Sequence, residues 1–282
     1  MPAPPQHANA DRTRFAALVA LKRAEQAKSR LDSIPDPLRR RLAWTMALDT
    51  LRALSDVLPV IVISNQPGLD ARLRAERIPA RVLGESQLLG VNAALRHGER
   101  TALAAGFDGV LAAVGDLPAL RAESVRTVLA AAREHQRAFV ADAAGIGTTM
   151  LTAVGTGLEP RFQGRSAAAH RMSGAVSLGA AEIGPVADAR RDVDDEVDLA
   201  DAAGLGLGPA TAQLFEGTSL GRYAVITIAT QLPDGSATAV ASCGYRVHVP
   251  ATVASQFRRL APGQRLHAVL AGRDTALSAW IY

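Results

Sequence analysis

Four cationic side chains follow the first apolar run of the chain, Phe15–Leu21. The segment KRAEQAKSRL directly after that run carries, within nine positions, Lys22, Arg23, Lys28 and Arg30. Such cations can neutralise a triphosphate and stabilise a departing pyrophosphate. A basic run is also typical of a solvated surface. Because ligands of parallel sheets collect beyond the carboxyl ends of the strands, the place of this run favours a phosphate site.

Three aspartates could hold a metal ion. Asp116 lies in GDLP after the apolar run Val110–Val114, and the segment RDVDDEVDL carries Asp192 and Asp194. A carboxylate on rigid backbone can coordinate Mg²⁺, which bridges phosphate oxygens with few protein ligands. A strand over Arg191–Val193 would point the latter two side chains to opposite faces, so we expect only one of them to join Asp116. A turn cap and a surface acidic cluster are the structural alternatives.

Two hydroxyl groups lie in segments suited to an anion. Thr148 opens a predicted strand in GIGTTM, and Ser166 lies in PRFQGRSAAAH, where a short helix could begin and offer backbone N–H groups. Turns and helix caps use the same residue types. We expect His170, in the second segment, to be a polar surface residue. The sequence has no Ser/His/Asp triad order, no HExxH and no candidate cysteine nucleophile, which excludes the common hydrolase sites.

The elements that must position these residues alternate between strand and helix. Strands are predicted at Phe15–Leu21, Val60–Ser64, Arg81–Leu83, Val110–Val114, Ala138–Ala141, Thr149–Val154, Ala175–Leu178 and Arg191–Val193. Helices are predicted from the cap Asp36 to Val57 and over residues 69–77, 92–105 and 122–135. This alternation predicts an α/β class, with a mostly parallel sheet covered on both faces.

The C-terminal part of the chain follows a different pattern. After GLGLGPATAQLF the apolar residues alternate with period two and a PDG turn follows; strands are predicted at 223–230, 238–249, 265–270 and 276–282, with a short helix at 253–260. Such short strands suit a small β-barrel-like module. We predict a flexible tail over residues 1–13, a main domain over 14–214 and the module over 218–282.

The charge distribution argues against nucleic acid as a partner of the main domain. The formal net charge is +4, but residues 215–282 hold six arginines against three acidic residues, and the remainder holds 25 basic and 24 acidic residues. Residues 215–282 also hold six of the eleven aromatic residues. Binding of single-stranded nucleic acid by the module therefore stays an alternative, and its strand edges could pair in a homo-oligomer.

Composition and the N-terminal residues bear on the compartment. No stretch approaches the roughly 18 uninterrupted apolar residues of a membrane span, and the first dozen residues lack an apolar signal segment. The single cysteine, Cys243, suits a reducing compartment. We therefore expect a cytoplasmic protein without a membrane partner.

Taken together, several segments resemble the phosphoenolpyruvate or 2-phospho-L-lactate guanylyltransferases of coenzyme F-420 biosynthesis. The matching segments, in one order between residues 14 and 212, are LVALKRAEQAKSRL, GVNAAL, GDLPAL, FVADAAGIGTTML, PRFQGRSAAAHRMSGAV, RDVDDEVDLADA and GLGPAT. GDLPAL recurs among several nucleotidyltransferases, whereas the whole set is specific. The resemblance implies a Rossmann-like nucleotidyltransferase fold, GTP as donor and Mg²⁺ as metal. The residues after about 215 have no counterpart in the family's usual length.

The resemblance also implies roles for individual residues. Acceptor contacts are implied at Thr148, at Ser166 and at position 163, where this chain has Gln163 in place of the family's usual glycine. The remaining roles are catalysis by Arg23, Lys28 and Asp116, nucleotide binding by Lys22, Arg30 and Asn92, and metal binding by Asp116 with Asp192 or Asp194. An acceptor phosphate is already an anion, so transfer of GMP to it requires no general base. Transfer of another nucleotide to a sugar phosphate or a molybdopterin is the rival within enzymes.

Overall fold

A computed structural model describes residues 13–21, 36–84, 90–215, 222–241, 244–257, 259–271 and 275–281. Contacts divide these residues into two compact units. The first holds the described residues up to Val193 together with Leu207–Leu214, and the second holds Asp194–Gly206 and the described residues from Phe215 onward. Each unit has its own sheet and its own hydrophobic core.

Among the described residues of the first unit, seven strands form one sheet. They are β1 (Phe15–Ala20), β2 (Val60–Ser64), β3 (Ala80–Gly84), β4 (Gly109–Ala113), β5 (Arg137–Ala141), β6 (Thr148–Val154) and β7 (Val176–Ser177). The spatial order is β3-β2-β1-β4-β6-β5-β7. Only β6 runs antiparallel to its neighbours, β4 and β5; the other pairs are parallel. The predicted α/β class with a mostly parallel sheet is confirmed.

The central strands are buried on both faces, which is why they read as continuous apolar runs. In β1, Ala16 and Leu18 point into one core cluster, while Ala17 and Val19 point into the other. Both clusters exist because helices cover both faces. These helices are α1 (Asp36–Ser55), α2 (Leu69–Ala75), α3 (Val91–Ala104), α4 (Ala122–Ala132), α5 (Ser166–Met172), α6 (Ala180–Ile183), α7 (Ala187–Arg190) and α9 (Pro209–Leu214).

The second unit is a closed five-stranded barrel. Its strands are β8 (Arg222–Gln231), β9 (Ala237–Ala241), β10 (Arg246–Val249), β11 (Arg265–Ala271) and β12 (Thr275–Ile281), in the order β10-β12-β11-β8-β9. Parallel pairing of β10 with β12 and antiparallel pairing of β10 with β9 complete the closure. The helix α10 (Ala251–Ala254) lies between the third and fourth strands of the barrel. The predicted barrel-like module is confirmed.

Some predicted elements of the barrel differ in extent. The predicted strand 238–249 is the hairpin β9–β10, and the helix predicted at 253–260 is the shorter α10. The PDG turn joins β8 to β9, with Gly235 at a φ of 84°. Asp234 Oδ1 accepts from the backbone N–H of Ser236 at 3.0 Å, which closes the turn. This bond, with one from the Ser236 hydroxyl, lowers the pKa of Asp234.

One helix falls on a different side of the predicted domain boundary. Helix α8 (Glu196–Leu205) contacts β8 and β11 and so groups with the barrel, although it precedes residue 214. The segment Asp194–Gly206, which contains this helix, adds four aspartates and one glutamate to the second unit. The predicted tail up to residue 12 and Cys243 lie outside the described residues.

Candidate active site

The strand registers bring the ends of several strands to one edge of the first unit's sheet, called here the carboxyl edge. The parallel strands β1, β2 and β4 end there. Ala141, the last residue of β5, pairs with Thr148, the first residue of antiparallel β6, so that both also lie at this edge. Ser64 Oγ donates to the backbone oxygen of Leu21 at 2.8 Å and fixes the end of β2 to the end of β1. The described ends of four strands and the start of β6 therefore lie at one edge, which is where α/β sheets bind their ligands.

The GDLP loop follows β4 and packs against the end of β1. A Cβ on Gly115 would lie 2.6 Å from Leu21 Cδ2, so the Leu21 side chain would have to move to admit any other residue here. The Leu117 N–H donates to Oγ1 of Thr50 at 3.0 Å, and Thr50 is fully buried in α1. Asp116, between them, is half-buried on a backbone held from two sides. Such rigidity suits a carboxylate that must hold a ligand at a fixed distance.

The segment GLGPAT gives the GDLP loop a second support. This segment carries part of the family resemblance, but the sequence predicted no role for it. The Gly208 N–H donates to the backbone oxygen of Pro118 at 2.7 Å. Asp49 of α1 accepts from the N–H groups of Ala210 and Thr211 at 2.9 and 2.7 Å and so caps α9. An Asp at the fourteenth position of a 20-residue helix gives no such signal, so this role could be found only in the fold.

The strand predicted at Arg191–Val193 is wrong. These residues are irregular, and the Val193 N–H donates to the backbone oxygen of Asp116 at 3.1 Å. Asp195 instead begins a helix, accepting from the N–H groups of Val197 and Asp198 at 2.9 and 3.0 Å. The acidic residue three positions after Asp195 completes a capping box, which is the signal in the sequence that could have identified this helix start.

Because Arg191–Val193 is not a strand, the argument that Asp192 and Asp194 point to opposite faces of a strand no longer applies. The choice between them as a metal ligand rests on where each of them lies. Asp192 belongs to the first unit and precedes the residue that binds the Asp116 backbone. Asp194 belongs to the second unit, and its N–H donates to Oδ2 of Asp198 at 3.0 Å. The first unit by itself therefore brings the backbone of Asp192 next to that of Asp116. The metal role of Asp194 stays a prediction.

The donor set at this edge suits magnesium better than a transition metal. Within the part of the chain that is described, no group of three or more His, Cys, Asp or Glu side chains could hold a metal ion by itself. Mg²⁺ usually binds through one or two carboxylates plus substrate phosphates. Asp116 with one further aspartate fits that pattern. The cations Lys22, Arg23, Lys28 and Arg30 lie outside the described residues, although Leu21 places the start of their segment at the carboxyl edge.

Thr148 is presented by a tight turn between β5 and β6. Asp142 accepts from the N–H groups of Ile146 and Gly147 at 2.8 and 2.6 Å, and a Cβ on Gly147 would lie 2.4 Å from Asp142 Oδ2. The Thr148 side chain is buried, and its hydroxyl lies 2.9 Å from Nδ1 of His170. The prediction that Thr148 opens a strand is confirmed.

His170 was predicted to lie at the surface, and this is wrong. Its side chain is fully buried, with Phe162 edge-on at 5.2 Å between ring centroids. Nε2 accepts from the backbone N–H of Arg161 at 2.9 Å. Burial, followed by the positive charges of Arg137 and Arg161, lowers the pKa of His170 from 6.5 to about 4. The imidazole is therefore neutral at physiological pH, and the periodicity of a seven-residue helix was too short to reveal its burial.

The lowered pKa of His170 predicts a stability loss in mild acid. Below pH 6.5 the unfolded chain binds a proton at this position, whereas the folded chain does so only near pH 4. Stability is therefore lost as the pH falls from 6.5 to 4, at up to about 1.4 kcal/mol per pH unit from this group. We expect His170→Gln to remove that slope in urea unfolding measured between pH 7 and 4.5, and His97→Gln to keep it. An identical slope in wild type and His170→Gln would refute the assignment.

Ser166 begins α5, as predicted, but its helix end is already occupied. The Ser166 N–H donates to Gly164 at 2.9 Å and the Ala167 N–H to Ile146 at 3.0 Å, both to backbone oxygens. These amides therefore are not available to an anion. The Ser166 hydroxyl makes no hydrogen bond to any described residue, so the hydroxyl is the group that could contact an acceptor.

Gln163 adopts a backbone conformation that favours glycine. Its φ is 121°, and its side chain is exposed next to Gly164, which has a φ of 55°. A non-glycine residue at such a φ costs on the order of 1–3 kcal/mol. This explains why a glycine at this position suits the loop, and it places the Gln163 side chain at the surface.

We expect Gln163→Gly to raise the free energy of unfolding by about 1 kcal/mol, since relief of strain exceeds the entropic cost of a new glycine. The matched control is Gln136→Gly, at an exposed glutamine whose φ is not positive, where we expect a loss of about 0.5–1 kcal/mol. Urea denaturation measures both. Equal destabilisation by the two changes would show that Gln163 is unstrained.

Asn92, near the start of α3, holds the loop that carries Gln163. Its Nδ2 donates to the backbone oxygen of Phe162 at 3.0 Å, and its Oδ1 accepts from the Phe162 N–H at 2.8 Å. This paired contact fixes the loop over a sequence separation of 70 residues. A contact of Asn92 with the nucleotide stays a prediction, since both amide groups already bind this loop.

A groove of about 440 Å³ begins at the ends of β2 and β3. It is lined by Ser64, Gln66, Gly68, Leu69, Asp70, Ala80, Arg81, Val82 and Gly84. No residue of this groove was singled out from the sequence. Ser64, the last residue of β2, lines the groove at the carboxyl edge.

The fold and the segments gathered at its carboxyl edge define a nucleotidyltransferase. The crystal structure of a putative nucleotide-diphospho-sugar transferase from Desulfovibrio desulfuricans G20 shares the fold, with a TM-score of 0.52, 16% identity, and coverage of 72% of this chain and 94% of that chain. Residues 15–202 match the family described as guanylyl transferase CofC like, and the chain belongs to that family.

Two relatives illustrate the similarity. The chain is 42% identical over 207 residues to the phosphoenolpyruvate guanylyltransferase of Salinispora arenicola (strain CNS-205), covering 71% of this chain and 92% of that protein. It is 44% identical over 201 residues to the phosphoenolpyruvate guanylyltransferase of Streptomyces avermitilis, covering 69% of this chain and 91% of that protein. The family that the resemblance of the sequence predicted is therefore confirmed. The family match ends before the barrel strands begin.

Proposed function

We propose that the chain transfers GMP from GTP to phosphoenolpyruvate, or to 2-phospho-L-lactate, with release of pyrophosphate, in the biosynthesis of coenzyme F-420. The observation that carries this proposal is the identity of over 40% with phosphoenolpyruvate guanylyltransferases across more than nine tenths of their length. The position of the GDLP loop and of Thr148 at one carboxyl edge supports it. The single cysteine supports a cytoplasmic location. No helix in the described part of the chain is long and apolar enough to cross a bilayer.

In the proposed reaction an oxygen of the acceptor's phosphate attacks the α-phosphorus of GTP. A bond forms between these atoms, the bond from the α-phosphorus to the bridging oxygen breaks, and pyrophosphate leaves with the electron pair. The protein's task is to align two polyanions and to offset their charge. The hydroxyls of Thr148 and Ser166 donate to the acceptor, and the cations Arg23, Lys28 and Arg30 offset the phosphate charge.

Asp116, with Asp192 or Asp194, would hold Mg²⁺, which supplies charge neutralisation between the phosphates when it is bound. The nucleoside of GTP would lie toward the groove at the ends of β2 and β3, with Lys22 and Asn92 on the nucleotide side of the site. The groove supports this placement because it opens at the same edge as the GDLP loop.

Nucleic-acid binding by the barrel is the second candidate, and the charge of the second unit argues against it. The five acidic residues that the segment Asp194–Gly206 brings to this unit exceed the surplus of three positive charges in residues 215–282. A single strand would meet little net attraction there. A homo-oligomer formed through the barrel stays a prediction.

The test is a matrix of triphosphates and acceptors. The full chain is incubated with Mg²⁺, each of GTP, ATP, CTP and UTP, and each of phosphoenolpyruvate, 2-phospho-L-lactate, glucose 1-phosphate and molybdopterin, and products are identified by mass. We expect product from GTP with a three-carbon phosphorylated acid. Product only from a sugar phosphate or a molybdopterin would replace the proposed acceptor, and product from another triphosphate alone would replace the donor.

A further inference from the structure

We propose that His170 is a positioning residue that fixes the Thr148 hydroxyl as a hydrogen-bond donor toward the anionic acceptor. This inference rests on the proposed function, in which Thr148 contacts the acceptor. His170 does not touch the substrate in this account; it acts through Thr148.

The tautomer of His170 follows from its two hydrogen bonds. The backbone N–H of Arg161 donates to Nε2 at 2.9 Å, so Nε2 has a lone pair there and carries no proton. A neutral imidazole has one N–H, which must then be at Nδ1. Nδ1 lies 2.9 Å from Oγ1 of Thr148, and it therefore donates to that oxygen. A backbone amide, which cannot change its protonation, thus decides the direction of the second bond.

The direction of that bond decides what the Thr148 hydroxyl offers. Because Oγ1 accepts from His170, the hydroxyl's own hydrogen points elsewhere, and no other described residue accepts it. Thr149, the next residue, differs: its hydroxyl donates to the backbone oxygen of Ala189 at 2.7 Å on the other face of β6. Thr148 is therefore a donor at the carboxyl edge, which suits a carboxylate or phosphate oxygen and not a cation.

His170 also couples two parts of the acceptor site. It joins β6 through Thr148 and the PRFQGR loop through Arg161, and the same loop is held by Asn92 through Phe162. The side chain is fully buried, and each of its two ring nitrogens has a protein partner. The charges facing the imidazole are Arg137 and Arg161, which oppose a second proton on the ring.

Two substitutions separate the two hydrogen bonds. The amide of Asn can occupy the place of Nδ1 and donate to Thr148, whereas that of Gln can occupy the place of Nε2 and accept from Arg161. We expect His170→Gln to raise the KM of the acceptor about tenfold or more, while His170→Asn stays within about threefold of wild type. The KM of GTP should change less than twofold in both. If His170→Asn raised the KM of the acceptor more than His170→Gln, His170 would act only by anchoring the PRFQGR loop.

Coupling to Thr148 provides a second readout. If His170 acts through Thr148, His170→Gln should add less than about twofold to the acceptor KM in a Thr148→Val background. Multiplication of the two single effects would overturn the proposal.

A spectroscopic measurement keeps the inference testable when a variant does not fold. Nitrogen and carbon chemical shifts of labelled histidine in the wild-type protein should show His170 neutral at pH 7 with its proton on Nδ1. A proton on Nε2 would overturn the inference whatever the enzyme's activity. If the tautomer is as expected but no three-carbon acceptor yields product, the proposed function fails and the hydrogen-bond direction stands.

Discussion

Asp116→Asn should reduce turnover by at least a hundredfold while leaving the fold intact. The substitution removes a charge at nearly constant volume, and loss of a carboxylate that holds a metal costs several kcal/mol of transition-state stabilisation. About 1.4 kcal/mol corresponds to tenfold in rate, so this magnitude predicts a loss between about a hundredfold and ten-thousandfold. The backbone bonds of the GDLP loop do not involve the carboxylate and should persist.

Steady-state kinetics at saturating Mg²⁺ measure this effect, and paramagnetic Mn²⁺ provides a binding readout independent of turnover. We expect weaker Mn²⁺ binding together with the loss of activity. The matched control is Asp56→Asn, at an exposed aspartate after α1, which should leave both unchanged. If Asp116→Asn retained more than about a tenth of the wild-type rate, the metal role of Asp116 would be wrong.

Gly208→Ala should destabilise the first unit and slow the reaction. A Cβ at this position would lie 2.4 Å from Cγ of Asp49 and 2.7 Å from its Oδ1, so the α9 cap or the loop itself must move. Overpacking of this kind costs about 1–3 kcal/mol. Because the Gly208 N–H binds Pro118, the displacement also reaches the loop that carries Asp116, and we expect kcat to fall at least tenfold.

Gly204→Ala is the matched control, because a Cβ there meets nothing within 4 Å. It should leave kcat unchanged and slightly raise stability, since alanine is the better helix former. Urea unfolding and steady-state kinetics measure both variants. Asp49→Ala should reduce the additional cost of Gly208→Ala, because it removes Cγ and Oδ1 and leaves only Cβ of residue 49, at 2.7 Å, in the way of the new methyl group. If Gly208→Ala kept the stability and the kcat of the wild type, the contact between residue 208 and Asp49 would not be rigid.

The sequence was sufficient for the fold class because that class is encoded by local periodicity. Continuous apolar runs such as Val60–Ser64 mark strands buried on both faces, and the switch to period two after residue 215 marks the barrel. Placement directly after a strand then predicted that Asp116 lies at the carboxyl edge, because the loops that follow parallel strands emerge there. Thr148 reaches the same edge because β6 is antiparallel, which the sequence did not predict.

Residues that act across long sequence separations could not be found this way. The capping of α9 by Asp49 spans 161 residues, and the clamp of Asn92 on Phe162 spans 70. His170 was misplaced at the surface because an imidazole gives no sign of burial when its partners are a hydroxyl and a backbone amide from other elements. The strand predicted at Arg191–Val193 was wrong for a local reason. The β-branched Val193 between two aspartates favoured a strand, although the capping box that begins at Asp195 was readable in the sequence.

The central claim is that this carboxyl edge transfers GMP to a phosphorylated three-carbon acid, and one isotope experiment tests it most directly. The full chain is incubated with phosphoenolpyruvate, Mg²⁺ and GTP that is labelled with ³²P either at the α or at the γ position. We predict that the α label appears in a product containing the three-carbon acid and that the γ label appears in pyrophosphate. Transfer of the γ label to the acid, or an α label that stays in free GMP or GDP, would contradict the account.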